Sequence, residues 1–220
     1  MSGPLAAMNN LSFSASDFRE RALAHRRSAD DVAAAFRDHG DHQLNPDLVA
    51  DLERVASRDA AVLIPVIDDH ASDARIILTM RAKALRKHSG QIAFPGGAID
   101  PEDASPEAAA MREAQEEISL DPRFVEPVGR LPLYLTMTGF RITPVLALVK
   151  PGFRLQANPE EVDDVFEVPL SFLMTPGNHF RESRVWQGRE RHYYTMPYND
   201  RFIWGVTAGI LRTLYERLYA

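Results

Sequence analysis

The stretch "GGAIDPEDASPEAAAMREAQEEISL", Gly96 to Leu120, decides how the chain is read. Ser105 stands where a helix N-cap is expected and Pro106 at the first helical position, with alanines filling the turns that follow. The helix therefore starts at Pro106 and ends near "SLDP". Glu113, Glu116 and Glu117 then fall within an arc of roughly 100° on one helix face. Like charges at this spacing cost a helix about 0.2–0.5 kcal/mol per pair. A salt-bridged surface would supply several basic residues one turn away, but "MREAQEEISL" holds a single Arg112. Either the face is solvated, good helix composition and nothing more, or it holds a cation. A hard dication such as Mg²⁺ takes oxygen ligands, and one or two carboxylates suffice when phosphates supply the rest. Glu113 and Glu117, four residues apart, can reach one ion, with Glu116 adding to it or binding a second. Arg112 lies beside the face and can steady a carboxylate. Gly96 and Gly97 let the backbone approach closely, offering carbonyls to a metal or amides to phosphate.

Upstream, "AAVLIPVI" and "ARIILTM" are β-branched runs separated by the turn-like "DDHASD", and they predict two neighbouring strands. Between them and the helix lies a basic cluster, Arg81, Arg86, Lys87 and His88, on a chain of net charge -6. The plain reading is a solvated basic turn. The functional one is a phosphate-binding set, arginine being suited to bidentate contact. His88 serves equally as an orienting hydrogen-bond partner or a ligand to substrate. Gln91 lines a pocket or is an ordinary strand residue, and Phe94 is read as core. Downstream, "VEPVGRLPLYL", "RITPVLALV" and "VDDVFEVPL" predict further strands. "SRVWQGRERHYYTM" predicts a hairpin turning at Gln187-Gly188, and "GVTAGILRTLYERLY" an amphipathic helix. Up to about residue 58 the chain reads as helical, with "SASDFRERALAHRR" and "NPDLVADLERVAS", its arginines and His25 forming a solvated face. Strands interspersed with a few helices, without regular βαβ alternation, predict a mixed sheet covered by helices.

The composition narrows the chemistry. With 220 residues, 45% hydrophobic and 25% charged, the chain fits one globular domain with an appendage. Zero cysteines exclude disulfides and thiolate catalysis and suit a cytoplasmic setting. The negative charge argues against a nucleic-acid partner. No run approaches the roughly 20 apolar residues of a membrane span. The opening "MSGPLAAMNNLSFSASDF" lacks the basic and apolar segments of a signal peptide and reads as a loose tail.

Residues 96–120 resemble the Nudix box, a loop–helix–loop signature in which Arg112, Glu113, Ala114, Glu116 and Glu117 match the Arg-Glu, hydrophobic, Glu-Glu core. The loop is one residue longer than the common form, Asp103 falls where the box's first glutamate is expected, and Ser119 replaces its glycine. The preceding "ILTMRAKALRKHSGQIAFPGG" is similar to the second signature of the coenzyme A pyrophosphatase branch, whose members often share the longer loop. "GFRITPVLALV", "NPEEVDDVFEVPLSFL" and "IWGVTAGIL" are similar to stretches of the same branch. The resemblance runs from about Arg58 to the end of the chain. It implies an α/β fold, a Nudix-type α/β/α sandwich with a mixed β-sheet over 59–220, preceded by a helical extension over 1–58. It implies Mg²⁺ or Mn²⁺ on Glu113, Glu117 and Glu116, with Arg112 in support. Arg81, Arg86, His88, Gln91, Gly96 and Gly97 would contact substrate. The activity implied is hydrolysis of the pyrophosphate of coenzyme A or its derivatives, with Glu116, Glu113 and Glu161 all candidates for the base. Glu161, in "NPEEV", matches a branch glutamate on a loop; its plain reading is a solubilising charge. Two other readings stay open: another diphosphate such as ADP-ribose or a dinucleotide, or a sensing module that binds a nucleotide without cleaving it. Exposed apolar surface could pair two copies as a homodimer.

Overall fold

The computed structural model describes residues 12–25, 40–48, 58–85, 88–186 and 188–220. Its frame is a mixed eight-stranded sheet. Strand β1 (Arg58–Ile67) is central and β2 (Arg75–Arg81) pairs with it antiparallel. Two short strands follow, β3 (Ile92–Ala93) against β2 and β4 (Gly96–Ala98) against β1. Next come β5 (Val125–Arg130), β6 (Tyr134–Leu135), β7 (Phe140–Val149) and β8 (Val162–Pro169). β5 and β6 pair with β7, and β8 pairs with β2, all antiparallel. The parallel pair is β1 with β7, running from Arg58 opposite Phe140 to Ile67 opposite Val149.

Both faces of the two central strands are apolar, so the sheet must be covered twice. Along β1, Ala60, Ile64 and Val66 face one core, while Ala61, Leu63 and Ile67 face the other. β7 divides likewise, Ile142, Leu146 and Leu148 to one side and Val145, Ala147 and Val149 to the other. Helix α1 (Ala15–Ala24) and the last helix cover the first face. Helix α2 (Pro106–Ile118) covers the second, setting Ala109, Ala110, Ala114 and Ile118 on the sheet. Alanines on that face let the helix axis come close. The result is the α/β/α sandwich that the sequence resemblance implies.

The N-cap of α2 is Ser105, whose Oγ accepts the Ala108 N–H at 3.2 Å, with Pro106 next. In α1 the cap is Ser14, accepting from the Asp17 N–H at 3.2 Å. α1 buries Ala15, Phe18 and Ala22 in the core that the last helix also fills, and Arg19 reaches Glu126 on β5 at 2.6 Å. Of the second helical stretch, Pro46 opens a 3₁₀ turn to Leu48, and residues 49–57 lie outside the described set.

The chain closes with α3 (Leu170–Leu173), an antiparallel sheet of β9 (Phe180–Trp186), β10 (Arg189–Tyr198) and β11 (Arg201–Trp204), then α4 (Gly205–Leu218). The hairpin expected at Gln187-Gly188 is β9–β10, with Trp186 opposite Arg189; Gln187 itself lies outside the described residues. One expectation is corrected: "VEPVGRLPLYL" is two strands, because the ladder with β7 lapses between Arg130 and Tyr134, around Pro132. No helix among the described residues is long and apolar enough to cross a membrane.

Candidate active site

The site forms where α2 lies over β4 and the end of β2. Gly96, opposite Val62 on β1, has φ +154°, and a methyl group there would stand 2.6 Å from the Val62 Cα. Glycine is thus required for β4 to lie against β1. Its freed N–H donates to Glu117 Oε2 at 3.1 Å. At Gly97 the crowding comes from the other side: an added Cβ would meet Glu113 Cδ at 2.5 Å. The two glycines form the floor on which both carboxylates rest.

Glu117 is 3% exposed. Burial pushes its carboxyl up to about 7, against the Gly96 N–H and Arg81, while Glu113 and Glu161 add repulsion. Arg81 Nη1 stands 3.7 Å from Glu117 Oε1, an attraction across space rather than a hydrogen bond. Glu113 is partly buried. Desolvation raises its carboxyl above the ordinary value, Arg112 opposes this, and Glu116 and Glu161 reinforce it. Glu161 therefore belongs to the same electrostatic cluster although it comes from the loop before β8. That loop is tied to both neighbours: Asn158 N–H donates to the Glu117 carbonyl at 2.8 Å, and Ala82 N–H to the Glu161 carbonyl at 2.8 Å.

Arg112 is the hub. Its Nη1 reaches Glu113 Oε1 at 3.1 Å and Glu116 Oε2 at 3.2 Å. Nε and Nη2 hold Asp103 at 3.1 and 3.0 Å, and Nη2 also donates to the Ala98 carbonyl at 3.2 Å. Asp103 is held below the usual carboxylate range, chiefly by that hydrogen bond. The sequence reading did not include Asp103 among the site residues. No periodicity links a loop residue to a helix residue nine positions on, and its one signal was its place at the box's first acidic position.

Of the upstream residues, His88 Nδ1 and Gln91 Oε1 are 2.9 Å apart. They steady the loop between β2 and β3, where the Gly90 N–H returns to the Arg81 carbonyl. Phe94 is buried, as expected. Arg86 and Lys87 lie outside the described residues.

The donor set is all oxygen, and the two carboxylates on the glycine floor, Glu117 buried and Glu113 partly so, repel each other. This chemistry fits a hard dication, which would relieve the repulsion. As the side chains stand, no three acidic or imidazole groups among the described residues converge on one point. Glu113 and Glu116 turn toward Arg112 instead, so that guanidinium is the local counter-charge.

Comparison with known proteins identifies the family. The NUDIX domain pattern matches residues 57–190. The uncharacterized Nudix hydrolase NudL of Citrobacter koseri is 44% identical over 162 residues, covering 74% of this chain and 83% of that protein. NudL of Salmonella paratyphi B gives the same identity and coverage. Among solved structures, the Nudix hydrolase RenU of M. smegmatis is similar at 23% identity and TM-score 0.41, over 52% of this chain and 78% of that one. With a domain match across most of its length and relatives at this identity, the chain belongs to the Nudix family and is a Nudix hydrolase.

Proposed function

We propose that the chain hydrolyses the pyrophosphate bond of coenzyme A or its derivatives, releasing 3',5'-ADP and 4'-phosphopantetheine or its acyl form. The observation that carries this reading is Arg81. It lies in "ILTMRAKALRKHSGQIAFPGG", the stretch that resembles the coenzyme A pyrophosphatase branch, and its guanidinium faces the Glu117 carboxylate. A cation at the rim of a carboxylate cluster suits a substrate that carries phosphates.

Glu113 and Glu117 would hold Mg²⁺ or Mn²⁺, with Glu116 able to join them. When bound, the ion would neutralise pyrophosphate oxygens and draw charge from the bond that breaks. The side chains do the rest. Arg112, held by Asp103, steadies Glu113 and Glu116. Gly96 and Gly97 would bring the backbone close to the phosphates, and the paired His88 and Gln91 shape the loop that follows Arg81. Water attacks one phosphorus, the bridging P–O bond breaks, and a carboxylate takes the proton. We assign that role to Glu161. Glu113 and Glu116 are both occupied by Arg112, whereas no hydrogen bond engages the Glu161 carboxylate among the described residues.

The test is hydrolysis of coenzyme A, ADP-ribose and NADH in parallel, with Mg²⁺, Mn²⁺ or EDTA, on wild type, Glu117→Gln and Glu161→Gln. Metal-dependent release of 3',5'-ADP from coenzyme A, lost in both variants, is the expected result. Preference for ADP-ribose or NADH would keep the site and overturn the substrate. Tight binding of one compound with no turnover of any would make the protein a sensor.

A further inference from the structure

The edge strand β9 has no role in the site. It reads Phe180-Arg181-Glu182-Ser183-Arg184-Val185-Trp186, every residue is exposed, and it is the outermost strand of the order β11–β10–β9. Among the described residues nothing pairs with its outer edge. An exposed edge strand is a template for pairing unless something blunts it, and β9 mixes three apolar with three charged side chains. Here Phe180, Val185 and Trp186 are 52%, 74% and 49% exposed.

We infer that β9 pairs antiparallel with β9 of a second copy of this chain, about a two-fold axis at Ser183. The first support is the direction of the backbone groups. His192 on β10 lies opposite Ser183, and its N–H and C=O are both bonded to the side chain of Asn45, at 2.8 and 2.9 Å. Those groups thus point away from β9. Directly opposed residues in an antiparallel ladder share their character. Ser183 therefore turns its own N–H and C=O to the free edge, as do Arg181 and Val185 by alternation. Pairing about Ser183 sets Ser183 opposite its copy and Arg181 opposite Val185, closing about six main-chain hydrogen bonds.

The second support is the sequence of the strand, which complements itself when reversed. About this axis Glu182 meets Arg184 and Phe180 meets Trp186, each pair occurring twice. These are the non-hydrogen-bonded positions, where side chains approach most closely. All four lie on one face, where Arg184 already stands over the Trp186 ring at 5.3 Å. Alternative registers are disfavoured. A one-residue slip mismatches the outward backbone groups. A two-residue slip in one direction opposes Glu182 to Glu182, and in the other Arg184 to Arg184. An isologous dimer follows, joining two three-stranded sheets into one.

Sedimentation of the full chain over a concentration series tests this, with Arg184→Glu, Glu182→Arg and the double exchange. The wild type should dimerise. Each single exchange should weaken the dimer roughly tenfold by opposing like charges, and the double exchange should restore it. Because the chain has no cysteine, Ser183→Cys offers an independent measurement. Its thiol would meet its copy across a Cα separation of about 5.5 Å and oxidise to a covalent dimer. Arg181→Cys, roughly 14 Å from its copy, would not. A monomer throughout the series, or a dimer indifferent to the exchanges and not trapped through Ser183→Cys, overturns the inference.

Discussion

Asp103 grips Arg112 with both carboxylate oxygens, at 3.1 Å to Nε and 3.0 Å to Nη2, so a loop residue fixes the arginine that steadies the helix carboxylates. Asp103→Asn keeps the size and removes the charge. Losing one charge-assisted hydrogen bond is worth about 1.5–3 kcal/mol. Hydrolysis should fall in kcat/KM by roughly tenfold to a hundredfold, and because the Asp103 side chain is only 7% exposed the unfolding temperature should fall as well. Steady-state kinetics beside a thermal melt separates the two effects.

Gly97→Ala should be costly for catalysis and cheap for folding. The new methyl would collide with the end of the Glu113 side chain rather than with backbone, so that flexible carboxylate gives way. A displacement of about 1 Å in a reacting group can cost about a hundredfold. Calorimetric titration with Mn²⁺ should show weaker binding alongside the lost activity. Unchanged metal affinity would count against Glu113 as a ligand.

Glu117 makes metal-free stability depend on pH. Its carboxyl sits at about 7 in the fold, mainly through burial, and at 4.5 ordinarily. Between those values the folded protein keeps a proton that the unfolded chain has released, so stability falls as pH rises through the window. The loss is on the order of 3 kcal/mol when complete. In EDTA, Glu117→Gln should therefore melt close to wild type at pH 4.5 and progressively above it toward pH 8. Mg²⁺ competes with the proton and should stabilise wild type more at pH 8 than at pH 5.

Ser119 ends α2 at φ +58°, a left-handed position that glycine takes without strain. Ser119→Gly should raise stability by about 1 kcal/mol, the relieved strain slightly exceeding the extra freedom of the unfolded chain. That corresponds to roughly 2–4 °C in a chain of this size.

Phe18 tests whether the segment before the matched domain belongs to the same folding unit. The ring is fully buried in the core shared with α4. Phe18→Ala should cost about 3–5 kcal/mol and shift a single unfolding transition. A separate low-temperature transition would make α1 an independent appendage.

Local chemistry was legible and long-range chemistry was not. Ser105 and Pro106 announced α2 because capping is written in adjacent residues, and β-branched runs announced β1, β2, β7 and β8. The short β3 and β4 were hidden in "SGQIAFPGG", since two or three residues with glycines carry no periodic signal. The parallel pairing of β1 with β7 joins segments far apart in sequence, and neither strand's composition names its partner. Within the site, the helix carboxylates could be seen from their spacing. Asp103 holding Arg112 and Arg81 facing Glu117 needed the loop's path through space.

The same parallel pairing has a consequence in time. Strand β1 cannot be completed until Phe140–Val149 has been made, because that segment occupies its whole length. Helix α2 is synthesised earlier, so its alanine face and Glu117 wait in water for the surface that will bury them. Glu161 arrives later still. On the ribosome the nascent chain therefore carries ordinary, solvated glutamates for most of its emergence. The raised affinity of Glu113 and Glu117 for protons comes into being only as the sheet closes, in a late, non-local step of the kind that sets slow folding rates.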